Sequence, residues 1–536
     1  MTNMKIFRLR YLLLIAIFFF GHSVTVPAQE NNSIVFTNPE VEKSQTYLNG
    51  NNYQKDLLLF LNMLESTHPA FAPGMHPPFN MEEIRDKGYV WAKNCDSDIQ
   101  FWDYLQSIAS TLQDNHTTLF IDFNRSRIYP FMFYQISGNY YLFTVTKPYA
   151  SYLGKRIINI NGHPVQEVIE SFRPLFCCNN DIDFEQKIRN QISFEVLWTN
   201  NPYNSPDSLL HLTFEDGTSI GLEPKTAGKR DLSALQTKPN YLTARQNSND
   251  LFLYRIFQKQ KICYLQFNLC EDQSSVRLSL LNNNRGLTPE QIEQSLAKYP
   301  RFDSFLNRMF DEISEKDIKT LVIDVRNNRG GNGNLCQLLL SWLILPEKQI
   351  TGISKIRFSS LWEMFYPQTA ADYKKAFAQN GIDYRLGELY DNKELSQLIS
   401  RNGKTLISGM DYDALFVKNR DPEKVFKGNV VFIQNAGTYS SAGQLITDAT
   451  DNHTGMVLGS ESAFKPCHYG DMLTWELPNT SIKGSVSHKI FLRPDTSRYN
   501  ERSIRPALNL DYTWNDILES NDIYWNWILN MYGNPQ

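Results

Sequence analysis

The chain has no dense run of lysine and arginine, and its formal net charge is −4 over 536 residues. A partner such as nucleic acid or an anionic membrane demands a basic patch, so neither is expected. No His-Glu-x-x-His motif occurs among the nine histidines, and the adjacent Cys177 and Cys178 have no zinc-type spacing around them. Neither a metal nor a cofactor is expected. Beyond the first twenty residues no stretch is apolar for long enough to span a bilayer. Internal repeats and low-complexity segments are also absent. The seven cysteines leave at least one unpaired, and Cys263 and Cys270 flank an apparent strand that holds them too far apart to bridge unless the chain bends. What remains is 42% hydrophobic and 13% aromatic, ample for packed cores, at a length expected to hold several domains.

The first residues do carry a signal. Lys5, Arg8 and Arg10 precede the apolar run Tyr11 to Phe20, which is short for a membrane helix, and Val26-Pro27-Ala28 supplies small residues for cleavage. This pattern predicts a secretory signal peptide over 1–28, cleaved after Ala28, and a periplasmic or secreted mature chain with no stable membrane insertion. A retained N-terminal anchor is the other reading. No cysteine lies beside the cleavage site to accept a lipid.

Two loops stand out further on. Val430 to Ile433 reads as a buried strand, and Ala442, Leu445, Ile446 and Ala449 recur at helical spacing, so the intervening segment is a strand-to-helix turn carrying the pair Ser440-Ser441. At a helix N-terminus, free backbone N–H groups and the positive dipole end can stabilise a developing oxyanion. The same position suits an ordinary N-cap by Ser440 or Ser441. Lys319 to Val325 reads as a second buried strand, running through Arg326-Asn327-Asn328-Arg329-Gly330-Gly331-Asn332-Gly333 into an apolar helix near Leu335. Its glycines let backbone approach a ligand closely. A tight crossover turn accounts for them too, and the dinucleotide spacing and Gly-Lys-Ser/Thr ending of phosphate-binding loops are missing.

Together these loops resemble the tail-specific, or C-terminal processing, protease family, to which tricorn core domains also belong. Asp324, Arg326, Asn328, Gly330 and Gly331 match a strand ending in Asp-x-Arg-x-Asn-x-Gly-Gly. Thr438-Tyr439-Ser440 is similar to the family's nucleophile turn, and Val457-Leu458-Gly459-Ser460 to the strand after it. Leu112 to Thr117 resembles Leu-x-Asp-Gly-His-Thr, and Glu501 to Pro506 resembles Glu-Asn-x-Gly-Val-x-Pro-Asp. The resemblance implies an α/β (α+β multidomain) fold with a ClpP/crotonase-like α/β catalytic core. It also implies an exported serine endopeptidase that hydrolyses peptides or unfolded proteins through an acyl-enzyme on Ser440. His116 is implied as general base, Glu501 as the carboxylate orienting it, and the amides of Gly331 (or Gly330) and Ser441 as the oxyanion hole. Another branch of the family uses a Ser–Lys dyad, which makes a desolvated Lys465 the alternative base. Taken singly, His116 also reads as a histidine at a helix C-terminus, and Glu501 and Lys465 as solvated charges.

Three departures stand against the family pattern: Gly443 replaces an acid, Glu461 to Pro466 replaces a glycine-rich stretch, and Pro506-Ala507 replaces Pro-Asp. They leave a second reading, a catalytically weakened peptide-binding or scaffold protein of the same fold. Apolar periodicity predicts an N-terminal helical domain over 29–125 that delivers His116. Strands dominate 126–223, where Leu153 to Val165 resembles the Gly-x-x-Ile-x-x-Ile-Asn-Gly segment of a PDZ domain; a plain hairpin at Asn161-Gly162 explains the turn as well. Residues 224–250 read as a polar linker. The catalytic core is expected over 251–536, with strands of mixed direction, interrupted by insertions at Leu281 to Arg301 and Glu347 to Lys427.

Overall fold

The computed structural model describes residues 33–120, 127–226, 232–235, 250–282, 287–345, 350, 352–400 and 422–533. The expected signal segment and its cleavage point at Ala28 lie outside them.

Ile262–Phe267, Thr320–Asp324 and the end of Asn429–Gln434 are short runs of branched and aromatic residues, buried throughout. Such runs suit strands covered on both faces. They lie in a six-stranded sheet with the order Phe252–Phe257, Ile262–Phe267, Thr320–Asp324, Asn429–Gln434, Met456–Gly459, Leu508–Asn509. The first strand is antiparallel to its neighbour and the rest run parallel. Asp324 stands level with Gln266 and with Ile433, so the loops after the two central strands leave the sheet at the same edge. Helices Phe302–Glu315, Gly333–Leu340 and Ser441–Asp451 cover one face. Helix Ile523–Tyr532 closes the other, setting Tyr524, Trp525 and Ile528 against Tyr264, Val322 and Val431. A buried ion cluster ties that helix down: Arg326 donates from Nη2 to Asp324 Oδ2 at 2.6 Å and to Asp522 Oδ2 at 3.0 Å.

Near the N-terminus, helices Asn52–Thr67 and Asp98–Ser110 begin at strong local signals, a capping box between Asn51 and Gln54 and an N-cap at Ser97. Phe101, Leu105, Ile108 and Leu112 are buried, in keeping with their spacing. These helices do not close a core of their own, which corrects the expectation of a separate helical domain. Their apolar faces pack with Ile356, Phe358, Trp362 and Phe377 and with Leu473, Trp475 and Val486. Those residues belong to or flank a second sheet, ordered Ile34–Val35, His468–Glu476, Lys483–Leu492, Ile353–Arg357, Leu389–Asp391, with Thr118–Leu119 also paired to Lys483–Leu492. The described part of the expected Glu347 to Lys427 insertion is therefore structural framework. Periodicity reveals that a helix has a buried face and is silent on what buries it.

A further, seven-stranded sheet is built on Asn139–Thr146, Arg156–Ile160 and Leu210–Phe214. Its core holds Phe172, Trp198 and residues of helix Asp181–Gln191. Asn161 and Gly162, at φ 50° and 82°, make its hairpin turn. The polar segment 224–250 is not simply a linker: Lys225–Thr226 pairs with Arg127–Ile128, and Leu232–Ala234 pairs with Asn139–Thr146. Strand pairing uses backbone groups, so a polar strand leaves no apolar period to read. No helix among the described residues is long and apolar enough to cross a membrane.

Candidate active site

The two loops that leave the central strands are laced together by backbone and amide hydrogen bonds. Asn435 Oδ1 accepts from Asn327 N–H at 2.9 Å and from Gly437 N–H at 3.0 Å. Thr438 Oγ1 donates to the Val325 carbonyl at 2.9 Å, and Tyr439 N–H donates to the Asn328 carbonyl at 2.9 Å. Ser440 emerges from this lattice at φ 50°, ψ −126°, a strained conformation for a residue with a side chain, and its hydroxyl makes no capping hydrogen bond. The N-cap reading of Ser440 is thereby excluded. Ser441 is no cap either, because its hydroxyl donates to the Gly331 carbonyl at 2.7 Å.

Gly330 and Gly331 have different uses. A Cβ on Gly330 would stand 2.6 Å from Ser440 Cβ and 2.7 Å from Ser441 N, so its missing side chain is what lets the loop close on the turn. Its N–H is already given to Asn328 Oδ1 at 2.9 Å, which removes Gly330 as an oxyanion donor. The N–H groups of Gly331 and Ser441 take no backbone partner among the described residues. Ser441 opens an eleven-residue helix, so its amide also carries the positive end of the dipole.

His116 lies well beyond the end of helix Asp98–Ser110, in a tight loop, and is not a helix C-terminal histidine. Its ring centroid is 6.1 Å from that of Tyr439, the residue before Ser440, and 6.2 Å from that of His468. The loop turns about Asp114, whose carboxylate is wholly buried. Asp114 Oδ1 accepts from His116 N–H at 3.0 Å, and Oδ2 accepts from Thr117 Oγ1 and Ser487 Oγ, each at 2.6 Å. His68 Nε2 lies 3.2 Å from Asp114 Oδ2, and His116 Nδ1 lies 3.5 Å from Oδ1. Burial alone would raise Asp114, yet the hydrogen bonds and charge of His116 and His68 hold it well below the ordinary carboxylate range. Burial pushes the neighbouring His468, stacked on Phe491, down to about 3, so at neutral pH it adds no charge beside His116.

Glu501 does not hydrogen-bond His116. Arg493 Nη1 holds its Oε2 at 2.6 Å and Arg498 Nε holds its Oε1 at 2.7 Å, in a cluster that also includes Asp451 at the end of the Ser440 helix. The two guanidiniums outweigh its partial burial and lower its pKa. The carboxylate nearest His116 Nδ1 is Asp114, which the motif Leu112 to Thr117 contains but to which sequence reasoning gave no role. Lys465 is mostly withdrawn from solvent; burial, and then the charge of Arg502, lower its pKa. It has no hydrogen-bond or ion-pair partner among the described residues. Gly443, where the pattern has an acid, faces the ring of Phe464: a Cβ there would stand 2.3 Å from it, so the missing acid answers to packing behind the helix.

A bridge from the seven-stranded unit completes the site. Asn179 Nδ2 donates to the Tyr439 hydroxyl, and Asn115 N–H donates to Asn179 Oδ1 at 3.1 Å. Buried Asp183 accepts from Asn179 N–H at 3.0 Å and from Asn115 Nδ2 at 3.2 Å. One network thus touches both the His116 loop and the Ser440 turn. Nothing in the local pattern of 179–183 points to this, since a buried Asn–Asp pair has no period. Among the described residues no group of His, Cys, Asp and Glu could hold a metal ion.

Residues 295–483 match the family described as Peptidase family S41, a span that takes in Asp324, Gly331 and Ser440 but neither His116 nor Glu501. No curated protein sequence matches the chain. Among solved structures, mature CPAF complexed with lactacystin aligns over 92% of this chain and 98% of its own at 14% identity, with a TM-score of 0.59. Mature CPAF aligns over 92% and 97% at 14% identity, TM-score 0.56. The photosystem II D1 C-terminal processing protease covers 86% of this chain and 94% of its own at 11% identity, TM-score 0.39. The two CPAF structures share the fold of this chain.

Proposed function

Since the chain carries a peptidase family S41 domain and is a serine-type peptidase, we propose that it is an exported endopeptidase that cleaves peptides or unfolded proteins through an acyl-enzyme on Ser440. The observation that carries this reading is the Ser440 backbone, held at positive φ with its hydroxyl uncommitted while glycine at 330 leaves room beside it. Strain of this kind persists only where surrounding structure enforces it.

In this reading Ser440 Oγ attacks the scissile carbonyl as His116 takes its proton. The carbonyl oxygen gains charge between the amides of Gly331 and Ser441, which are fixed in advance and so cost little reorganisation. His116 then protonates the leaving amine, and water releases the acyl group by the reverse steps. Asp114 fixes the His116 loop and offers the compensating negative charge. Glu501 is a positioning residue here, acting through Arg493 and Asp451 on the far end of the Ser440 helix. Lys465 as base is the second reading, favoured by its burial and its lack of a partner. Export rests on the N-terminal pattern.

Cleavage of a flexible protein by purified residues 29–536 tests the assignment. Ser440→Ala is expected to abolish hydrolysis and His116→Ala to be nearly as severe, since such groups act as a unit. Lys465→Ala is expected to cost little under His116 and nearly everything under the dyad. Equal activity of wild type and Ser440→Ala would refute the nucleophile.

A further inference from the structure

A cavity of about 340 Å³ opens beside Gly331, lined by Leu269, Cys270, Glu271, Ser275, Gly331 and Asn332. Its walls are fixed by backbone. Cys270 N–H donates to the Gly330 carbonyl at 3.0 Å, and Asn332 N–H donates to the Cys270 carbonyl at 2.7 Å, so 270 and 331 pair as a parallel bridge. The cavity is therefore held in register with Gly331, whose amide is the proposed oxyanion donor.

Two adjacent carboxylates border this place, and they differ. Asp272 is fully used at the start of helix Gln273–Asn282: it accepts from Ser274 Oγ, Ser275 N–H, Ser275 Oγ and Phe302 N–H. Glu271 lines the cavity and has no hydrogen-bond or ion-pair partner among the described residues. Partial burial, and then Asp272, raise its pKa, as they must for a carboxylate with no cation beside it. The other polar groups of the lining are committed: Ser275 Oγ to Asp272 and Asn332 Nδ2, and Asn332 Oδ1 to Asn334 N–H. What stays open is an apolar throat of Leu269, Cys270 and Gly331 bordered by one carboxyl group that no other side chain engages among the described residues. A long aliphatic stem ending in a cation complements both parts.

We propose that this cavity receives a side chain flanking the scissile bond and that Glu271 makes lysine or arginine the preferred occupant. The inference rests on the peptidase reading and names the substrate class for the same site.

The test is a cleavage profile of a mixed peptide library, followed by kcat/KM on matched substrates with lysine or its uncharged isostere norleucine at the selected position. Wild type is expected to enrich basic residues at one position next to the cut. Glu271→Gln is expected to lose at least about tenfold on the lysine substrate, the worth of one charge-assisted hydrogen bond, and to keep its rate on the norleucine substrate, which also shows that it folds. Glu271→Lys is expected to turn the preference toward acidic residues. A wild-type profile without basic enrichment, or enrichment unchanged in Glu271→Gln, overturns the proposal. Binding of the lysine and norleucine peptides to Ser440→Ala separates the two readings. Tighter lysine binding without wild-type cleavage retains the subsite and removes the peptidase assignment; cleavage without charge preference does the reverse.

Discussion

Replacing Gly330 by alanine probes the site through a single methyl group. The added Cβ would lie 2.6 Å from Ser440 Cβ, 2.7 Å from Ser441 N and 3.0 Å from the Tyr439 carbonyl oxygen. Comfortable contacts between carbon atoms begin near 3.5 Å, so about 1 Å of relief is needed. None of the three atoms is the end of a flexible side chain, and the relief must come from moving the Ser440 turn against its own loop. Gly330 also has φ 97°, which costs a side-chain-bearing residue on the order of 1–3 kcal/mol. A displacement of about 1 Å at a reacting group is enough for a loss of roughly 10²-fold in rate. The expected outcome is a folded protein, less stable by about 2–4 kcal/mol in denaturant unfolding, with kcat/KM reduced at least about 10²-fold. Gly381→Ala is the control: its φ is 65° but nothing lies within 4 Å of the new methyl, so it should lose some stability and keep its activity. Near-wild-type turnover by Gly330→Ala would refute the claim that the loop closes on Ser440.

Three further outcomes are expected. Burial raises Asp448, whose carboxylate accepts from Gln337 and Gln444, to about 7. An unfolded aspartate ionises near 4, so wild type should lose stability relative to Asp448→Asn as pH rises from about 4 to about 7, by roughly 4 kcal/mol at most, measured by denaturant unfolding at each pH. His468 has the opposite sign: held neutral down to about 3 by burial, it contributes stability above about pH 6.5 that is lost as pH falls toward 3, and His468→Phe should flatten that limb of the unfolding curve. Arg326→Met leaves Asp324 and Asp522 buried without their cation and should cost about 3–5 kcal/mol in thermal or denaturant unfolding, while a matched Asp522→Asn exchange should recover part of the loss.

What could be read from residue order follows a physical line. The Asp324 loop and the Ser440 turn were legible because each is a buried strand followed at once by a special backbone, both written within a few residues. The role of Gly330 was half legible: its lack of a side chain is required, but its amide is spent on Asn328, a bond visible only in three dimensions. The surroundings of Glu501 were illegible because a carboxylate's partner is set by which cations the fold brings near, and Arg493 and Arg498 claim both oxygens. Asp114 lies inside the Leu112 to Thr117 motif without any mark of its role, since a buried acid looks the same in sequence as a solvated one. The shared core of the N-terminal helices with 353–398 and 473–486 was illegible for the same reason: amphipathic faces do not name their partners.

The seat of His116 is completed from far along the chain. Ser485 Oγ holds its carbonyl across 369 positions, and Ser487 Oγ holds Asp114 across 373, both from a strand that follows Ser440 in sequence. During synthesis the histidine loop is made early, with partners such as His68 and Asn179 close behind or before it, but Ser485 and Ser487 reach it only when nearly the whole polypeptide has emerged. Contacts of such separation are the last to repay their closure entropy. A chain that stops or is clipped between Ser440 and Lys483 thus carries the strained serine turn without the strand that holds the histidine loop, and that loop gains its full set of hydrogen bonds only with the docking of Lys483–Leu492.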